Sequence, residues 1–270
     1  MVTVTVLGYA EPPSRVWTGD HMEPVLGAIL GLVLGHLAAF CFVRFYTDED
    51  FTSPLYQCAA CRSPFRTRFA LPVLGWVIAR GRCPDCSEGL PIRWLVLPLG
   101  SAALFVASWL VFENLAGCLL GGFFGTVFLT LTLTDFDRRL LPNRIVYPSI
   151  ILAMALSWAW PESDVAEIMA GGLVGIAIAI TLLLVSIPFG AGALGMGDVK
   201  MIILIGFVVG LPSVFIAIFI GTLAAGVVAA FLLITRIRGR KDYIPHGPFL
   251  ALGAVTAMWF GAEIWDAYRN

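Results

Sequence analysis

Charge is what this chain has least of. Only 13% of its 270 residues are Asp, Glu, Lys or Arg, against 59% hydrophobic, and the mean hydropathy is +0.89. A soluble domain carries about 25% charged residues and cannot leave that much apolar surface in water, so the soluble globular class is excluded. A formal net charge of -1 leaves no basic surplus for a nucleic-acid partner. The first 23 residues lack the basic start, short apolar core and small-residue cleavage site of a signal peptide, and read as an extracytoplasmic tail containing Pro12, Pro13 and Arg15. No internal repeat is found.

What the chain does have is a series of apolar runs, most of them near the roughly 20 residues that cross a ~30 Å hydrocarbon core. They fall at 24–43, 94–112, 116–134, 145–160, 168–187, 199–211 and 213–235, with a last one after Pro248 to about residue 265. The expected fold is an all-α polytopic membrane protein of about eight transmembrane helices. The run at 199–211 is short, so a tilted helix or one supported by its neighbours is expected there. With eight spans of alternating direction, Arg44, Arg93, Arg138, Arg139, Arg144, Lys200 and the basic cluster at 236–241 sort to one side, and Arg15 and Arg269 to the other. The positive-inside rule makes the first side cytoplasmic and both termini extracytoplasmic. The chain thus divides into the tail 1–23, a first span at 24–43, a cytoplasmic loop at 44–93 and a core of seven spans over 94–270. Trp158, Trp160 and Trp265 lie near span ends and read as an aromatic belt.

The cytoplasmic loop holds four of the six cysteines. Cys58-x-x-Cys61 and Cys83-x-x-Cys86 are separated by 21 residues, close to the spacing that sets four thiolates around a tetrahedral Zn²⁺. Two disulfides are the alternative, but the arginine-defined side is the reducing one. A structural zinc is therefore expected, supplying much of the folding free energy of a loop too small for its own core. Cys41 and Cys118 lie inside apolar runs and read as small core residues.

Two polar stretches interrupt the apolar runs on that same side: DFDRRLLPNR at 135–144 and GMGDVK at 195–200. An Asp at a helix centre costs about 2.5 to 3.5 kcal/mol to insert, so an acid at the mouth of a span is a functional candidate. Asp135 and Asp198 share a membrane face and, brought together, would share a proton, one acting as base towards water and the other as acid towards a carbonyl oxygen. Gly195 and Gly197 would let the backbone approach closely. The competing structural reading makes Asp198 a helix cap, Lys200 a snorkelling interface residue, and Asp135 or Asp137 a solvated partner of Arg138 or Arg139. Spacing does not choose between Asp135 and Asp137. His246, between prolines, reads as a loop residue. An ion-coupled transporter is the other function class for paired acids, but transport favours acids near the midplane and these sit at one face.

The order of these features, a cytoplasmic pair of Cys-x-x-Cys knuckles, LTLTDFDRRLLPN, GMGDVK and IPHGPFLALGA, resembles the bacterial type 4 prepilin peptidases of pilus and type II secretion systems. The resemblance covers nearly the whole chain after residue 24. It implies a GxGD-type aspartic endopeptidase of the bacterial inner membrane whose catalytic pair is Asp135 and Asp198, with Gly195, Gly197, Lys200 and Asp137 as supporting motif residues. Its substrates would be prepilins or pseudopilins, cut after a glycine at the cytoplasmic face. Many such enzymes also methylate the new amino terminus with S-adenosylmethionine. Where those carry Ser-Phe-Leu-Asn-Val, this chain has His36-Leu37-Ala38-Ala39-Phe40, so peptidase activity is the expectation and methyl transfer with S-adenosylmethionine is left open.

Overall fold

The computed structural model describes residues 22–47, 58, 60, 61, 63, 72–160, 163–189, 195–237 and 245–270. The amino-terminal tail, most of 44–71, the glycine-rich stretch before Gly195 and the basic residues 238–241 lie outside them. Nine helices are found among the described residues: α1 (Met22–Thr47), α2 (Pro72–Ile78), α3 (Arg93–Val111), α4 (Leu115–Arg138), α5 (Asn143–Ala155), α6 (Val165–Ser186), α7 (Met196–Val209), α8 (Ser213–Ile234) and α9 (Gly247–Arg269). All but the short α2 correspond to expected apolar runs. α1, α3, α4, α6, α8 and α9 are long and apolar enough to cross a membrane alone, while α5 and α7, of 13 and 14 residues, are not.

The short helix at 199–211 is indeed carried by its neighbours. Ten of the 14 residues of α7 are buried, from Asp198 to Val209. Gly171, Gly172 and Gly175 line the face of α6 turned to it, and a Cβ on Gly171 would run into the backbone of Gly210 while one on Gly175 would lie 3.0 Å from the Ile202 carbonyl. Without a hydrophobic driving force in lipid, such close backbone approach is how helices gain contact energy. α7 ends at Gly210, whose φ of +66° is open to glycine and costly to other residues.

α1 packs on α3, α3 on α4, α8 on α9, and α9 touches both α4 and α7. The shared core includes Phe105 on α3, Phe124, Phe128 and Leu131 on α4, Met201, Leu204 and Ile205 on α7, and Leu250 on α9. α9 therefore bridges the two helices that carry the candidate acids.

Three expectations change. α4 does not stop at residue 134: it continues to Arg138, so the DFD acids are helical rather than loop residues. It ends where Arg139 turns left-handed at φ 57°, its N–H still donating to the Asp135 carbonyl at 2.9 Å, an end that usually recruits glycine. The last helix runs past residue 265 to Arg269. Trp160 is not a belt residue: it is 8% exposed, its ring stacked 6.3 Å from Phe124 and tilted 6.2 Å from Phe112. Trp158, 74% exposed, does face outward.

Candidate active site and metal centre

Asp135 and Asp198 are both buried, at 4% and 9% exposure. Asp135 sits in the last turn of α4 and Asp198 in the first turn of α7, so their helices end at the same level. They are near enough for the charge of Asp135 to bear on Asp198. The cap of α7 is Gly195, with no side-chain hydrogen bond, so Asp198 is not the helix cap that the structural alternative requires. A Cβ on Gly195 would lie 3.2 Å from the Asp198 Oδ2, and one on Gly197 3.2 Å from the Leu141 side chain. Both positions of the GMGD motif are thus close approaches, one to the acid and one to the loop after α4.

Asp137 takes a different course. It is exposed, and its Oδ2 accepts from the Arg93 guanidinium at 2.7 Å across to α3. Its ion-pair partner is therefore an arginine of another helix and not Asp198. Lys200 does not simply snorkel: its Nζ donates to Asn143 Oδ1 at 2.6 Å and lies 5.5 Å from the centre of the Tyr147 ring. It joins the start of α5 to α7 two residues after Asp198.

By resemblance, Pro245, Gly247 and Pro248 before and at the start of α9 are supporting loop residues; their contact with the acids was not legible in the sequence. The backbone N–H of Gly247 donates to Asp135 Oδ2 at 3.0 Å within the protein interior. His246, the cap residue just before α9, is close enough to interact electrostatically with Asp135. Burial lowers its imidazole pKa, and the neighbouring Asp135 only partly opposes that. Pro248 in the first turn costs no helical hydrogen bond, since the donor it lacks would have had no partner. The sequence signal was the Pro-His-Gly-Pro string itself, which fixes a turn and then starts a helix.

Away from the acids, Cys58, Cys61, Cys83 and Cys86 bring their four sulfurs within 4.8 Å of one another. The Cys58–Cys86 and Cys61–Cys83 separations are 3.5 and 3.8 Å, and all four are free thiols. Four sulfurs at ~2.3 Å from a tetrahedral Zn²⁺ stand about 3.8 Å apart, so the donor set and its spacing fit that ion. Hydrogen bonds from the Cys61 amide lead the causes that lower the Cys58 thiol to about 7. The Glu88 amide acts the same way on Cys86, but burial and the surrounding sulfurs outweigh it and push that thiol up to about 12. Four thiolates this close repel, and a bound cation removes the conflict. Cys58 and Cys83 form a small core with Leu90 and Trp94, against which Trp76 of α2 rests.

The molecule is thus a polytopic helical membrane protein with a buried pair of acids at one level and a four-cysteine cluster able to hold a metal. Residues 29–112 match the bacterial peptidase A24 N-terminal domain and residues 122–230 the type IV leader peptidase family. Among curated proteins, the chain is similar to prepilin leader peptidase/N-methyltransferases of Pseudomonas putida (27% identity, covering 93% of this chain and 96% of that one) and Bacillus subtilis (27%, 89% and 95%). It is also similar to an Escherichia coli type 4 prepilin-like proteins leader peptide-processing enzyme (28%, 88% and 94%). No solved structure shows a significant match. The chain belongs to the type IV leader peptidase family, and is a membrane protease.

Proposed function

We propose that this protein removes the basic leader of type IV prepilins or type II secretion pseudopilins at the cytoplasmic membrane face, cleaving after glycine, with Asp135 and Asp198 as its catalytic pair. The observation that carries the pairing is that both acids are buried at matching ends of α4 and α7, while Asp137 is exposed and held by Arg93. In the mechanism, the paired carboxyls hold one proton between them and activate a water against the scissile carbonyl. Burial of the site keeps that charge from being screened by bulk water. Gly197 allows the close approach of α7 to Leu141 just after α4, Gly195 leaves room beside the Asp198 carboxyl, and Lys200 ties α7 to α5.

The metal of the cysteine cluster is read as zinc with a structural role, held by Cys58, Cys61, Cys83 and Cys86. When bound it neutralises the thiolates and staples the region between α1 and α3. The distribution of positive residues supports a cytoplasmic position for this region and both acids, with both termini outside the inner membrane.

The test is cleavage of a leader-bearing prepilin by membranes containing the protein. Asp135→Ala and Asp198→Ala are each expected to abolish the shortened product, and normal cleavage by either variant removes that aspartate from the mechanism. Mass spectrometry of the processed amino terminus reads methyl transfer separately. With S-adenosylmethionine present, an unmethylated amine marks a chain that only cleaves, and a methylated one a chain that does both.

A further inference from the structure

Two carboxyls sharing a proton are interchangeable only when their surroundings match, and here they do not. Asp135 Oδ2 accepts from the Gly247 amide at 3.0 Å. Among the described residues no donor is directed at Asp198. The charged neighbours divide in the same way. His246 from the cap of α9 and Arg139 from the end of α4 bear on Asp135, whereas the charge bearing on Asp198 is that of Asp135 itself. Lys200 is turned to Asn143 and Tyr147, and Asp137 to Arg93. A hydrogen bond to a carboxylate and a nearby cation both favour its ionised form, and a like charge disfavours it.

Resting on the peptidase reading above, we infer that Asp135 is the ionised base and Asp198 the proton-bearing acid, with His246 and Gly247 as the positioning residues that set this asymmetry. The Gly247 amide pins Oδ2 and leaves Oδ1 of Asp135 to face a water. That water's oxygen bonds to the scissile carbonyl carbon as its proton passes to Asp135, while Asp198 gives its proton to the carbonyl oxygen. On collapse the C–N bond breaks, the leaving nitrogen takes the proton from Asp135, and Asp198 recovers one from a hydroxyl of the diol. Both acids are then back in their starting forms. The glycine is required by the same contact: a Cβ at position 247 would lie 2.7 Å from Asp135 Oδ2 and 3.1 Å from its Cγ, too close for the amide to keep its place.

The experiment is steady-state cleavage of a leader-bearing prepilin by the full chain in reconstituted membranes, measured across pH. His246→Phe keeps bulk at the turn and removes the charge that protonation brings there in acid. Its acid limb of kcat is expected to move up by about 0.5 to 1 pH unit, with KM changed less than about two-fold. Gly247→Ala is expected to lower kcat about 100-fold with little change in KM; should that variant fail to fold, His246→Phe carries the test. Asp198→Asn, which mimics a neutral acid, should retain at least about ten-fold more residual cleavage than Asp135→Asn, which cannot act as a base. An acid limb that stays in place in His246→Phe overturns the inference, and so does greater residual activity in Asp135→Asn than in Asp198→Asn. Undiminished cleavage in both Asn variants is a different result, and it removes both aspartates from catalysis; a parent chain that leaves the prepilin uncut overturns the peptidase reading itself.

Discussion

At the scale of the residue, the three acids around the end of α4 and the start of α7 separate by what they touch. Asp137 and Asp135 are two positions apart in the sequence, and on a helix that spacing turns their side chains about 200° from one another. One goes into the interior beside α9 and the other outward to Arg93. The Arg93–Asp137 pair is 31% and 42% exposed at its two side chains, so it contributes about 1 kcal/mol at most and less in salt. Asp137→Asn is therefore expected to leave prepilin cleavage within about three-fold of the parent and the unfolding temperature nearly unchanged. A loss as deep as that of Asp135→Ala would return Asp137 to the catalytic pair. Spacing in the sequence could not decide between these two acids, because either lies at the mouth of a span; only the direction of the helix face does.

At the scale of the element, the positions of the spans were legible because each is a long apolar run, and the end of α4 was not, because helix continues through polar residues once hydrogen bonding to the backbone is available. The Arg139 left-handed turn that stops it carries no glycine to announce it. The role of α9 was hidden for a related reason: the hydrogen bond to Asp135 comes from a backbone amide, and any residue type has one. The glycine at 247 is the trace it leaves. α7 shows the converse, a helix too short to cross by itself whose support is written in the small residues of its neighbour. Gly175 faces the Ile202 carbonyl and Gly206, so a larger side chain there must push α7 away and with it Asp198. Gly175→Leu is expected to lower kcat at least about ten-fold, since misplacement of a reacting group by about 1 Å costs on the order of 100-fold. Gly226 of α8, where an added Cβ meets nothing within 4 Å, is the control: Gly226→Leu should cleave as the parent does. Equal activity in both variants would mean that α7 is not held by α6.

At the scale of the whole molecule, the cysteine cluster and the acid pair are joined through α3. Trp94, one residue after Arg93, packs with Cys58 and Cys83, while Arg93 reaches Asp137 on the helix that carries Asp135. The four cysteines were readable from the sequence by spacing alone, because a Cys-x-x-Cys knuckle is set by local geometry. This connection was not, since it depends on which helix stands beside which. Metal binding requires thiolates, so protons compete with the ion and affinity falls as pH falls. Cys58 titrates near 7 and Cys86 is pushed up to about 12, so at neutral pH the metal must already displace protons from the site, and acid strengthens that competition. Purified protein is expected to contain about one zinc per chain at pH 8 and to lose it to a chelator progressively faster as the pH is lowered through 7 towards about 5.5. Loss of the ion should expose the region between α1 and α3 to protease while the helices of the 122–230 match stay protected, because that core is closed by its own packing. A metal content far below one, or a chelation rate indifferent to pH, removes the four-cysteine site. Protease cutting that spreads at once into α4 and α7 would show instead that the metal holds the acid pair together.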